Sequence, residues 1–164
     1  MKGISVVLFC LLLLTGCERG IVLQAVEEVK LALDQQAYER VNSLLFLASV
    51  ESSSRKFTDL HRQSIYLIRM QEYKEANEWD RLFLAWTDLN LVTNESDLIK
   101  AEGIRLIQRM LVDIQDVALK GLENGNTREI KNVIRLIENR LGTFELFEAE
   151  IEGLIELRRQ MEES

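Results

Sequence analysis

His61 is the single histidine in the chain of 164 residues, so imidazole chemistry has one place to occur. A non-covalent haem held by His61 and either Met70 or Met110 can be drawn, but nothing in the spacing supports it. A lone histidine near an apolar helix face reads first as a surface or interface side chain. The motifs that gather ligands or nucleophiles are missing. There is no Glu-x-x-His pair for a di-iron bundle, no Cys-x-x-Cys-His and no His-Glu-x-x-His. Gly-x-Ser-x-Gly is absent too, and the glycines at 20, 103, 121, 125, 142 and 153 stand singly, so no phosphate-cradling loop is written here. Glu145, Glu148, Glu150, Glu152 and Glu156 carry the spacing of a solvated helix face rather than a converging acid–base pair. The expectation is a protein that is not an enzyme and has no cofactor, no catalytic residue and no metal site. One set of side chains has another use. Trp79 and Trp86 are seven residues apart and share a helix face, with Phe83 between them and Tyr73 nearby. Such a set either packs a core or forms a partner-binding patch, since Trp and Tyr dominate interface hot spots.

The two cysteines belong to the other informative stretch. Lys2 precedes an apolar run from Val6 to Leu14, which is followed by Thr15, Gly16 and Cys17. A basic start, a short apolar segment and small residues make a secretory signal, and the run is too short to span a bilayer as a permanent helix. Leu14-Thr15-Gly16-Cys17 resembles the lipobox of bacterial lipoproteins: an aliphatic residue, a small residue, Gly or Ala, then Cys. The resemblance covers only this leader, about a tenth of the chain. It implies cleavage before Cys17, residues 1–16 being removed, and thioether attachment of diacylglycerol to Cys17, with palmitate-type acylation of the new amino group in many bacteria. Two or three acyl chains hold a protein stably where one does not. In Gram-negative lipoproteins an Asp after the Cys favours inner-membrane retention. Glu18 stands here, so the periplasmic face of the outer membrane is the expected address if the cell is Gram-negative. Cys10 leaves with the leader and Cys17 is consumed by lipid, so the mature chain has neither free thiol nor disulfide.

The remaining residues must position whatever the protein presents. Val22, Val26, Val29, Leu33, Ala37, Val41, Leu44, Leu45 and Ala48 recur in steps of three and four and predict a helix over 21–50. A second helical stretch runs from Phe57 to Leu89, a third from Leu98 to Leu122 and a fourth from Ile130 to Met161. The breaks between them are Glu51–Ser54, Thr93–Asp97 and Glu123–Thr127. Gly125 suits a left-handed helix stop, Asn94 or Ser96 a helix cap, and Asn126 with Glu129 a capping box. Gly142 either kinks or ends the last stretch. No two-residue alternation is sustained. With no proline in the chain, the prediction is an all-α fold, an antiparallel bundle of about four long helices of roughly 28–37 residues. The expected layout is a short lipid-anchored N-terminus over 17–20 and one helical domain over 21–164.

An alternative uses the same helices as hairpins. Gln36-Ala37-Tyr38-Glu39-Arg40-Val41 and Gln71-Glu72-Tyr73-Lys74-Glu75-Ala76 match at a spacing of 35. The pair resembles the second helix of tetratricopeptide-like repeats, which implies stacked helical hairpins over 22–90. The Trp-x-x-Leu-Gly signature of the first helix is missing, Asp80 fits poorly, and no third copy follows residue 93.

Charge and composition set the remaining bounds. The formal net charge is −7, and removing Lys2 with the leader leaves 19 basic against 27 acidic residues, or −8. An acidic body is not built to grip nucleic acid and does not seek anionic lipid. Its 47% apolar content is too high for a disordered chain. The expected function is a lipid-anchored envelope protein that binds another protein as adaptor, assembly factor or exclusion factor. A self-associating helical rod or spacer is the alternative, and a small-ligand carrier would require an apolar cavity among the helices.

Overall fold

A three-residue turn without glycine or proline gives this fold its first corner. Gln36 adopts φ 56°, the left-handed region, and stops the first helix. Its N–H donates to the carbonyl of Leu33 at 2.9 Å and the next N–H, of Ala37, donates to the carbonyl of Ala32 at 2.9 Å. This crossed pair satisfies carbonyls that a helix end would otherwise leave bare. Asn77, also at φ 56°, repeats the arrangement: its N–H donates to Lys74 and that of Glu78 to Tyr73.

The computed structural model of the chain describes residues 24–163 except 53, 95 and 126. The leader, Cys17 and the 17–20 segment lie outside the described residues. Those described form α-helices and short links, with no strand: α1 over 24–34, α2 Tyr38–Ser52, α3 Arg55–Glu75, α4 Trp79–Leu91, α5 Leu98–Asn124, α6 Arg128–Leu141, a 3-10 turn Glu145–Phe147, and α7 Glu148–Glu163. The predicted all-α class is the observed one. Of the four predicted stretches, the third stays whole as α5. The others each divide in two, at Gln36, at Asn77 and at Gly142. Helical spacing ran on through the first two turns because Leu33, Ala37 and Val41 keep four-residue steps across the corner. Among the described residues no helix is long and apolar enough to cross a membrane.

The predicted links are where the sequence placed them. Gly125 takes φ 70° just after α5. Ser96 Oγ accepts from the N–H of Leu98 at 3.4 Å as α5 starts, and Asn94 Oδ1 accepts from the N–H of Ser96 at 2.9 Å. The cap of α6 differs from the expected box. Thr127, not Asn126, occupies the N-cap position and makes no side-chain cap bond. Glu129 is thereby one residue too close to the helix start to complete such a box.

The internal repeat is also in another register. Tyr38 opens α2, whereas Tyr73 lies in the last turn of α3, so the match at a spacing of 35 pairs residues in different places. The turns at Gln36 and Asn77 are 41 positions apart. In that register Tyr38-Glu39-Arg40-Val41 faces Trp79-Asp80-Arg81-Leu82, and the buried Val41, Leu45 and Ala48 correspond to the buried Leu82, Trp86 and Leu89. Each hairpin buries the same stripe of its second helix.

Contacts divide the chain into two compact units. Of the first unit the structure describes 24–68 and Leu89–Lys100. Val29, Leu33, Val41, Leu45, Phe57 and Leu60 fill its interior. Asn42 Nδ2 donates to Ser64 Oγ at 3.0 Å, and the fully buried Gln63 donates through Nε2 to the carbonyl of Val92 at 3.2 Å. The second unit, Arg69–Asp88 with 101–163 described, packs Leu82, Leu106, Ile107, Met110, Ile134, Ile137, Phe147 and Leu154. In it α6 and α7 are clamped by Arg158–Glu138 at 2.5 Å and Arg135–Glu162 at 3.1 Å. Gly153 lets α5 approach α7 closely: a Cβ there would sit 2.9 Å from Gln115 Nε2, which donates to the carbonyl of Glu150 at 3.0 Å.

Candidate partner-binding grooves

The structure divides the aromatic set. Phe83 and Trp86 are core, with only 3% and 6% of their surface exposed. Trp86 meets Phe144 and Phe147 edge-on, with ring centroids 4.9 Å and 5.8 Å apart. These two therefore hold the second unit together, and the notion of one patch made by all four residues is corrected. α4 buries the stripe that contains Leu82, Phe83, Trp86 and Leu89, and the aromatics on it go inward; Trp79, the first residue of the helix, stays partly exposed although it is seven residues from Trp86.

Tyr73 and Trp79 stay partly exposed, one on each side of the Asn77 turn. The Arg81 guanidinium stands 6.0 Å from the centre of the Tyr73 ring, within reach of a cation–π contact, while also bonding Glu78 at 2.8 Å. Trp79 lines a groove of about 450 Å³ together with Ile114, Val117, Ile130 and Val133. Its rim carries the Lys74–Asp113 ion pair at 2.7 Å. An apolar floor with a paired polar rim suits a protruding apolar side chain of a partner.

A second groove, of about 550 Å³, lies beside α4 within the same unit. Leu84 and Phe144 form its exposed apolar parts, and Arg140 bonds Asp80 at 3.0 Å across its edge. Phe144 was absent from the predicted set. Its place comes from Gly142, which ends α6 and lets the chain double back into the 3-10 turn. The flanking Phe144 and Phe147, three apart beyond a glycine, are the only sequence trace of it.

His61 lies half-buried on α3 with its ring 5.5 Å from that of Phe46 on α2, an interface side chain. Met70 and Met110 are fully buried core residues. Glu102 is a further residue, one that its sequence does not set apart from the other helix carboxylates. It is 1% exposed, with Arg105 at 3.1 Å and Arg109 at 2.8 Å. The spacing of three and seven puts all three on one stripe of α5, and two guanidinium groups offset the cost of burying the carboxylate. At the far end, Glu156 is held down to about pKa 2 by the hydrogen bond from Arg159 and a second from Gln160. Among the described residues no group of three His, Cys, Asp or Glu side chains converges as a metal site. No known protein family, no characterised protein and no solved structure matches this chain.

Proposed function

We propose that the protein is an exported lipoprotein, held in the cell envelope by acyl chains on Cys17, whose helical body binds another envelope protein as an adaptor, assembly factor or exclusion factor. The observation that carries the address is Leu14-Thr15-Gly16-Cys17 at the end of the apolar run from Val6 to Leu14. Glu18 in place of Asp favours the periplasmic face of the outer membrane in a Gram-negative cell. Two apolar grooves in the second unit, with Trp79 in one and Phe144 in the other, support the binding role. Lys74 pairs with Asp113 beside the first groove and Arg140 with Asp80 beside the second.

The test is crosslinking of the acylated protein in its own membranes followed by affinity purification. One defined envelope protein, lost on Trp79→Ala or Phe144→Ala, is the expected product. A chain that crosslinks only to itself and runs as a defined oligomer in light scattering replaces this role by that of a self-associating rod. Palmitate labelling tests the address: it should vanish in Cys17→Ser, and globomycin should retain the leader. An unlabelled wild-type chain sinks the anchor.

A further inference from the structure

Helix α2 is apolar on two opposite sides. It carries no charged residue from Val41 to Val50. Val41, Leu45 and Ala48 are buried, while Phe46, Leu47 and Val50 stand 51%, 55% and 63% exposed. At 100° per residue the exposed trio lies opposite the buried one. Leu91, the last residue of α4, is 73% exposed, more than any other large apolar side chain described.

The topology of the first unit brings Val50 and Leu91 to one end. Stepping back along α2 from Phe46 to Asn42 moves forward along α3 from His61 to Ser64, so the two helices are antiparallel. The end of α2 therefore meets the start of α3. Asn94, just past α4, donates to the carbonyl of Lys56 at 3.1 Å, which brings the end of α4 to that same place. The short turn at Gln36 folds α1 back on α2, so Gln24 at the start of α1 also lies at this end. Cys17 is seven residues before Gln24, and seven residues reach at most about 25 Å. A lipid on Cys17 would therefore be tethered within about 25 Å of Gln24, at the end of the unit that carries its most exposed apolar side chains.

We infer that this end of the first unit is a second membrane contact, with Val50 and Leu91, and Leu47 beside them, seated in the headgroup boundary of the bilayer. The inference rests on the anchor at Cys17 proposed above. Charges of both signs, Arg55 and Lys56 against Glu51, Asp59 and Asp97, stand in or beside the links at this end. The contact is consequently apolar rather than an attraction to anionic lipid, in keeping with the acidic body. Its effect is to fix the orientation of the first unit, because an anchor alone leaves rotation free and a second contact removes it.

The acylated protein is reconstituted in phosphatidylcholine–phosphatidylethanolamine vesicles. Bimane labels are placed by Val50→Cys, Leu91→Cys and, at the opposite end of the unit, Gln35→Cys. With Cys17 consumed by lipid, each variant has one thiol. Nitroxide-bearing lipid should quench the labels at 50 and 91, as for side chains seated about 5–10 Å into the headgroup and acyl boundary, and leave the label at 35 unchanged. Equal, weak quenching at all three sites overturns the inference. So does shielding of 50 and 91 that appears in native membranes but not in lipid vesicles, which assigns the surface to a protein partner. The intact mass of each variant reads the anchor separately. A chain lacking the diacylglycerol addition defeats the anchor and this contact together, whereas an acylated chain with solvent-exposed labels defeats the contact alone.

Discussion

The two tryptophans show how closely spaced residues take different roles. Trp86 is enclosed by Phe144 and Phe147, so truncation leaves a large hole in the second unit. Trp86→Ala should cost about 3–5 kcal/mol in chemical denaturation. Trp79 faces a groove, and Trp79→Ala should cost under about 1 kcal/mol while weakening capture of the crosslinked partner. Equal destabilisation by the two would make Trp79 core as well. Glu102 permits a second measurement. Glu102→Ala removes the carboxylate that Arg105 and Arg109 share, and both arginines are exposed enough to regain water. The loss should therefore be about 1–3 kcal/mol, below that of a fully enclosed pair. Glu156 offers a third. A carboxyl held down to about 2 stays ionised where an ordinary one near 4.5 protonates. Its pairing with Arg159 is fully present above pH 4.5 and lost as pH falls from there toward 2. An NMR titration of the Glu156 side chain should show a midpoint near 2, and a midpoint near 4.5 would dismiss the pairing.

Turns decide how the helices divide, and their chemistry is unequal. A left-handed glutamine is uncommon, because only Gly, and less readily Asn, adopts that conformation at low cost. Gln36→Gly should therefore raise stability by about 0.5–1 kcal/mol in thermal or denaturant unfolding. Gly125→Ala, with φ 70° to accommodate, should lower it by about 1 kcal/mol. The contrast explains what was legible. Gly125 marks the link after α5, whereas Gly142 stands inside one apolar period and reads equally as a kink or an end. Gln36 carries no mark, and Asn77 carries a weak one inside an apolar period that runs past it. The true repeat, Tyr38-Glu39-Arg40-Val41 against Trp79-Asp80-Arg81-Leu82, was visible at a spacing of 41. The match at 35 shares residue types instead of places in the hairpin.

For the whole molecule, the central prediction concerns where it resides. Cys17→Ser should leave the helical body folded, with unchanged helix content in circular dichroism, and release it from the membrane fraction on washing. A single apolar contact at Val50 and Leu91 is too small to hold it there alone.

Several properties of this protein follow from sequence by itself: the all-α class, the helical faces, the links at 51–54, 93–97 and 123–127, and the lipobox-like Leu14-Thr15-Gly16-Cys17 in the stretch that holds both cysteines. All are local. Periodicity, turn composition and a short motif act within a few residues, and the chain displays them directly. Tertiary structure alone decided that three of the stretches bend into pairs, that contacts gather into two units, that Phe83 and Trp86 go inward while Trp79 and Phe144 line grooves, and that the apolar ends of α2 and α4 lie where the chain enters its first helix. Each of these depends on which face of a helix finds a neighbour. A face that is apolar on both sides, as in α2, reads the same in sequence whether its second side meets protein, lipid or another molecule.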